Sequence, residues 1–390
     1  MIRIRKKCLL TNVGLKHIAI LVRNFTPFGG LEGYNFKLIQ GLLNQEFKVT
    51  VICEQNSGEF SHKNLTVYES LKCNTKLKYS EKLKWYYHTS NNLLQNHSFD
   101  LIHSQQVPTK YANVVTFHNH TIARQINAGT HFENLVNNYK AKFTAKYKLQ
   151  NYYDEILAKS AQSLIFPSFQ ALADYRQTYQ INSQDNLFVA YPGLDPEINL
   201  EYSKDQNNIL FIGKGYRRKG LDVLLKAISK LIQDNVPVKL NIIGLKLTPV
   251  YKLRLKILGI ENNVFFHGSI YNLKDFFAFS DIIVQVSRIE TFGMSVLEAM
   301  QYHVLPVVSR NCGIVEIFQN DVNGIIINNY LSVTELSEKL KMLISNQSLR
   351  HKIVCNAQEL SHKFSWDKTV TDTLKAYEYA LKEIHNVTNR

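Results

Sequence analysis

Apolar and polar positions along this chain follow two alternating rhythms. Short apolar runs such as Lys16–Val22, Lys48–Cys53, Asp100–His103 and Val114–Phe117 have the length of buried strands. Leu65–Tyr68, Ser163–Pro167 and Leu187–Ala190 read the same way. Between them lie helical patterns, Tyr34–Leu43 and a long stretch read as one helix, Leu135–Lys159. After the turn Tyr191-Pro192-Gly193-Leu194-Asp195-Pro196 comes a polar segment, Glu201–Asn208, that reads as a linker. The alternation then restarts. Strands are expected at Ile209–Gly213, Val238–Gly244, Val264–Phe266, Asp281–Val286, Val304–Val308 and Gly324–Ile327. Helices are expected at Leu221–Gln233, Pro249–Leu258, Asn272–Phe279 and Phe292–Tyr302, with Val333–Ile344, Ser348–Leu360 and Thr369–Ile384 closing the chain. Repeated strand–helix units predict an α/β protein with two doubly wound parallel sheets. Ligands of such sheets bind beyond the carboxyl ends of the strands, so the expected site is the cleft between two domains.

Composition narrows the class. With 390 residues, 45% hydrophobic and 20% charged, the chain can build two or three cores, and its apolar runs stay far short of the ~20 residues that span a bilayer. The basic start Met1-Ile2-Arg3-Ile4-Arg5-Lys6-Lys7 lacks an apolar core and a cleavage site, so no signal peptide is read. Five scattered cysteines (Cys8, Cys53, Cys73, Cys312, Cys355) without CxxC spacing predict reduced thiols in a cytoplasm and no zinc site. Thirteen histidines show no metal spacing either.

A formal charge of +14 points to polyanions: nucleic acid, anionic lipid or phosphorylated substrates. No RNA-binding signature is present. Two stretches interleave lysine with aromatic rings. One is Lys76-Leu77-Lys78-Tyr79 with Lys82-Leu83-Lys84-Trp85-Tyr86-Tyr87. The other is Tyr139-Lys140-Ala141-Lys142-Phe143 with Lys146-Tyr147-Lys148. Each suits either a membrane interface or an ordinary solvated helix face with core aromatics, and the charge tilts the pair toward an anionic membrane surface.

The densest chemistry lies in Glu290-Thr291-Phe292-Gly293-Met294-Ser295-Val296-Leu297-Glu298-Ala299, directly after a predicted strand. A helix starting near Thr291 would offer the backbone N–H groups around Phe292, Gly293 and Met294 to an anion. Glu298 then lies roughly 10 Å further along, at ~1.5 Å per residue. One carboxylate can meet a sugar and the other a ribose, with a diphosphate between. Arg218 and Lys219 stand before Gly220 at another helix start, fit to pair with that diphosphate, although an Arg-Arg-Lys run is usually a solvated basic turn. Gly215 to Gly220 superficially suggests a P-loop, but Leu221 occupies the lysine position. Gly29 and Gly30 sit in a strand-to-helix turn that permits close approach of a phosphate or acceptor. His118 ends an apolar strand, with His120 two residues on as the alternative occupant and His103 at the end of a neighbouring strand.

Taken together, the motifs resemble the retaining glycosyltransferases of family four, with the GT-B fold. The family's E-x-F-G-x-x-x-x-E-A stretch is matched by Glu290 to Ala299. Its strand followed by Lys-Gly-x-x-x-L-L is matched by Phe211-Ile212-Gly213 and Lys219 to Leu225, and its glycine loop by Pro27 to Glu32. Gly313 to Glu316 with Asn323-Gly324, and Ser365-Trp366 before the last helix, complete the set in order. Gly215-x-x-Arg218-Lys219-Gly220 and the glycine loop look most like bacterial lipopolysaccharide-core glucosyltransferases. Many members carry Gly-Arg where this chain has Gly213-Lys214, so Arg218 would supply the guanidinium.

The resemblance implies a first Rossmann-like domain over residues 1–198, completed by a helix over about 368–390, and a nucleotide-sugar domain over 199–367. It implies metal-independent, retaining transfer of a hexose from a nucleotide-diphosphate sugar to a glycan or glycolipid acceptor, membrane-associated or phosphorylated, in lipopolysaccharide or other cell-surface polysaccharide synthesis. A UDP-sugar is the favoured donor, with GDP- or ADP-sugars as alternatives. The protein would be cytoplasmic, peripheral on the inner membrane face. Arg218 and Lys219 would neutralise the leaving diphosphate, Glu298 would hold the ribose, and Glu290 and His118 would contact the donor sugar. An epimerase or phosphorylase of the same fold is the nearest competitor. An inactive scaffold would be expected to lose Glu290, Glu298 or Lys219, and all three are present.

Overall fold

The computed structural model describes residues 15–57, 60–69, 78–196 and 207–388. The basic start Met1–Lys7, Cys8, Cys73, the Lys76-Leu77 pair and residues 201–206 of the linker lie outside them. The chain divides into two compact units. One runs to Gly193 and is rejoined by the segment from Trp366 onward; the other is Leu194–Ser365.

The first unit is built on a seven-stranded parallel sheet. Its order is Leu65–Glu69, Lys48–Cys53, His17–Leu21, Leu101–Ser104, Val114–Thr116, Ser163–Phe166, Leu187–Val189. The central strands are apolar on both faces because helices cover both, and Ile18 to Val22 are wholly buried. The returning helix, Trp366–Thr388, belongs to this unit. Gly41 lets it approach the helix Gly30–Asn44, since a Cβ there would fall 2.3 Å from Val370 Cγ2. Tyr377 and Ala376 anchor it by hydrogen bonds to His103 and Ser163.

The second unit carries a six-stranded parallel sheet. Its order is Val264–Gly268, Lys239–Ile243, Asn208–Ile212, Ile282–Gln285, Leu305–Ser309, Ile325–Ile327. In chain order this is 3-2-1-4-5-6, the doubly wound arrangement, with its switch point between Asn208–Ile212 and Ile282–Gln285. Helix Leu221–Gln233 turns Leu221, Leu224, Leu225, Ile228 and Leu231 into the core. Helix Pro249–Leu258 shows its limits in its residues. Thr248 caps the first turn, Pro249 opens it, and Gly259 in the left-handed region ends it.

The structure corrects three expectations. The helix read over Leu135–Lys159 is two helices, His131–Phe143 and Ala145–Ser160. Thr144 separates them: its backbone is extended, and its N–H and hydroxyl both donate to the Lys140 carbonyl, closing the first helix there. Three further helices, Tyr79–Gln95, Ile122–Ile126 and Phe169–Tyr179, were not read from the periodicity. The two lysine-aromatic stretches also part company. On Tyr79–Gln95, Leu83 and Tyr86 are core residues, and the Tyr86 hydroxyl donates to the Val22 and Ile52 carbonyls. Helix His131–Phe143 instead buries none of its residues. Among the described residues, no helix is long and apolar enough to cross a membrane.

Candidate active site

In the second unit the predicted cations and the first predicted carboxylate meet at the switch point. The loop after Asn208–Ile212 winds through tight turns, Lys219 N–H to Gly215 and Leu221 N–H to Tyr216, and reaches Gly220 at φ 78°. A Cβ on Gly220 would lie 2.1 Å from the Val286 carbonyl oxygen, so glycine there lets the loop press against the end of the neighbouring strand. The Arg288 N–H bonds the Arg218 carbonyl at 2.8 Å, and the Arg288 guanidinium pairs with Asp222 at 2.7 Å. This stitching delivers both cations to one carboxylate oxygen. Lys219 Nζ donates to Glu290 Oε2, and Arg218 Nη1 lies 3.3 Å from the same atom. The Lys219 and Glu290 side chains are 12% and 16% exposed, whereas Arg218 is 53% exposed. Backbone bonds from Glu290 N–H to Asn311 and from Gly313 N–H to Glu290 hold the carboxylate's own segment.

The helix that follows begins at Met294, two residues later than the expected Phe292, because Gly293 at φ 117° is its cap. Phe292 is buried, and its carbonyl accepts from Ile314. Gly293 has Gln285 Nε2 and Ile314 at 3.4 Å from where a Cβ would stand. Glu298 lies on this helix, Met294–Gln301, half-buried. Desolvation and the nearby Asp195 carboxylate push its pKa up to about 7.

The first unit brings the other predicted residues together. Gly29 at φ 104° caps helix Gly30–Asn44, and the space in front of Gly30 is open. One turn on, Tyr34 meets His118 edge-on at 5.0 Å and Trp366 at 5.6 Å. His118 Nε2 bonds Gln105 Oε1 at 2.6 Å, and desolvation lowers the ring's pKa to about 3. The ring is a neutral hydrogen-bonding group, not a cation. His103 is a core residue, wholly buried between Tyr377 Oη and Thr116 Oγ1, both at 2.7 Å. His120 is also buried, bonded to Asp174 at 2.9 Å. Burial raises the Asp174 pKa, but hydrogen bonds from His120 and Thr121 outweigh it and hold the carboxyl below its usual range. Sequence reasoning missed Gln105, Gln106, Tyr34 and Asp154. An amide pair directly after an apolar strand, Leu101–Ser104, was the available signal. Among the described residues, no cluster of three His, Cys, Asp or Glu side chains is arranged to hold a metal ion.

The fold and these motifs define a glycosyltransferase of two Rossmann-like units. Residues 28–198 match the family Glycosyltransferase Family 4, and residues 196–360 match Glycosyl transferases group 1. The chain belongs to this GT-B glycosyltransferase family. An uncharacterized glycosyltransferase of Methanocaldococcus jannaschii is 26% identical over 90% of this chain and 94% of its own length. The lipopolysaccharide glucosyltransferase WaaG of Escherichia coli is 21% identical over 56% of this chain and 63% of its own. Among solved structures, WaaG superposes with a TM-score of 0.77 at 19% identity, over 92% of this chain and 98% of that one. Anabaena HepE in complex with UDP and glucose superposes at 0.69 and 16% identity, over 93% and 99%.

Proposed function

We propose that this protein transfers a hexose, with retention and without a metal, from a nucleotide-diphosphate sugar to a glycan or glycolipid acceptor of the cell surface. The convergence of Lys219 and Arg218 on Glu290 at the switch point carries the reading. Two cations beside a helix start can hold a diphosphate and neutralise it as the anomeric bond breaks. Glu290, released from them, would turn to the donor sugar. Glu298 would accept from ribose hydroxyls. His118, neutral and with its Nε2 proton given to Gln105, would accept a hydrogen bond from a sugar hydroxyl at its other ring nitrogen. The leaving phosphate would take the acceptor's proton, so no enzymic nucleophile is invoked. UDP is the favoured nucleotide, in keeping with the HepE structure that holds UDP and glucose. A lipopolysaccharide role follows the similarity to WaaG.

Calorimetric titration with UDP, GDP and ADP and their hexose conjugates, chelator present, tests the donor site. One nucleotide should bind, and the anomeric configuration of the product should match that of the donor. Binding of none would sink the proposal.

Attachment to an anionic membrane is supported by helix His131–Phe143. Phe132, Leu135, Tyr139 and Phe143 follow helical spacing and are 73%, 58%, 69% and 73% exposed, with Lys140 and Lys142 beside them. Flotation with phosphatidylglycerol vesicles at low salt should capture the protein, and Phe132→Ser with Phe143→Ser should release it. Equal flotation of both proteins would exclude this helix as the anchor.

A further inference from the structure

The first unit holds a cavity of about 370 Å³ beside the glycine loop, whose Leu31 and Glu32 line it. Its wall gathers Arg23 after strand His17–Leu21, Glu54 after Lys48–Cys53 and Gln106 after Leu101–Ser104. Glu32 and Asn35 come from helix Gly30–Asn44, and Asp154 from Ala145–Ser160. This is the sheet's own switch point, since Leu101–Ser104 lies beside His17–Leu21 on the side away from Lys48–Cys53. The volume is that of a small-molecule site, ~300–1,000 Å³.

The chemistry of the wall is one-sided. It holds one cation against three carboxyl groups, inside a chain whose formal charge is +14. Arg23 is engaged by Glu54, to which its Nε and Nη2 both donate at 3.1 Å. No cation among the lining residues pairs with Glu32 or Asp154. Hydrogen-bond acceptors are in surplus as well. The Gln106 carbonyl oxygen takes the backbone N–H groups of His118 and Asn119 at 3.0 and 2.9 Å, which fixes the amide. Its Nε2 therefore faces Tyr175 Oη at 2.9 Å and the Asp154 oxygens at 3.2 and 3.4 Å. That is one long bond to a carboxyl group able to accept about four. A carboxyl group buried with so few donors is costly, and a donor-rich ligand would satisfy it.

We infer that this cavity receives the acceptor's sugar end, and that it selects a group rich in hydroxyl or amine donors and rejects a phosphorylated one. The inference rests on the glycosyltransferase reading and replaces the phosphorylated acceptor expected from net charge. It holds for either form of Asp154, whose pKa burial pushes up to about 7 against the Gln106 hydrogen bond. Protonated, Asp154 removes one negative charge, and the wall still carries no net positive charge to attract phosphate.

The test titrates the full chain, saturated with UDP, with three methyl hexopyranosides alike except at carbon 6: hydroxyl, amine or phosphate. The phosphate should bind at least tenfold more weakly than the hydroxyl, and the amine at least as tightly. Asp154→Asn should weaken the amine about tenfold, with UDP affinity as the control for folding. If that variant does not fold, Glu32→Gln at the half-buried first turn should weaken the amine in the same direction. Phosphate binding as tight as the hydroxyl overturns the inference. No binding by any of the three, with UDP bound normally, overturns it and leaves the glycosyltransferase reading intact. Absence of UDP binding as well overturns both.

Discussion

Replacing Glu290 by Gln separates the two jobs assigned to this carboxylate. Glu290 accepts from both Lys219 and Arg218, so on the proposed function a diphosphate would have to displace it. The Lys219–Glu290 pair is 12% and 16% exposed, placing it above the ~0.2–1 kcal/mol of surface pairs and below the ~3–5 kcal/mol lost on breaking a fully buried one. A competing interaction of about 1–2 kcal/mol means that Glu290→Gln should tighten UDP binding roughly five- to thirtyfold. The UDP-hexose should gain less, because the variant also loses the sugar contact, and turnover should fall at least a hundredfold. Calorimetry with both ligands, paired with a transfer assay, reads the difference. If Glu290→Gln weakens UDP and the UDP-hexose alike, the carboxylate does not compete with phosphate for these cations and the assignment is wrong.

Three further outcomes are expected. Lys219→Ala should raise the UDP dissociation constant about ten- to a hundredfold by removing a charge-assisted bond, and Arg218→Ala should cost less because half of its side chain is already in water; equal losses would refute that ordering. Glu298, raised from 4.5 to about 7 in the folded protein, binds its proton more tightly folded than unfolded, so its contribution to stability is present below pH 4.5 and fades as pH rises through 7. Ribose hydroxyls favour the carboxylate, so UDP affinity should climb between about pH 6 and 8 and go flat in Glu298→Gln, as titration across that range will show. Gly220→Ala should lower stability by about 3 kcal/mol or more, since its Cβ meets the Val286 carbonyl oxygen at 2.1 Å with φ at 78°. The melting temperature should fall by roughly 6–12 °C, and a shift within about 2 °C would refute the close approach.

The alternation of apolar runs with helical patterns was legible because it is a local property. A strand buried on both faces, such as Ile282–Gln285, is apolar along most of its length, here Ile282, Ile283 and Val284, and a helix such as Leu221–Gln233 must turn one stripe inward. The placing of Arg218, Lys219 and Glu290 near one another was legible for a related reason: the phosphate and ribose recognition proposed for this site calls for particular residue types near the ends of strands, and those positions can be counted along the chain. Helix Tyr79–Gln95 escaped because its lysines and aromatic rings fit two environments equally, and burial of Tyr86 depends on carbonyls 64 and 34 residues away.

By itself, then, the sequence determined the strand–helix order, the family and the candidate donor residues. Only the tertiary structure decided which groups face one another. It set Lys219 on Glu290 across 71 residues and enclosed His103 with Tyr377 across 274. It sent Tyr86 of one helix into the core, leaving its neighbour Trp85 exposed, and left the rings of another helix in solvent. It also gathered Glu32, Glu54 and Asp154 around a cavity in a basic protein. Net charge sums over the whole chain, whereas a ligand meets the few groups that folding brings within reach, and that selection is made by contacts distant in sequence.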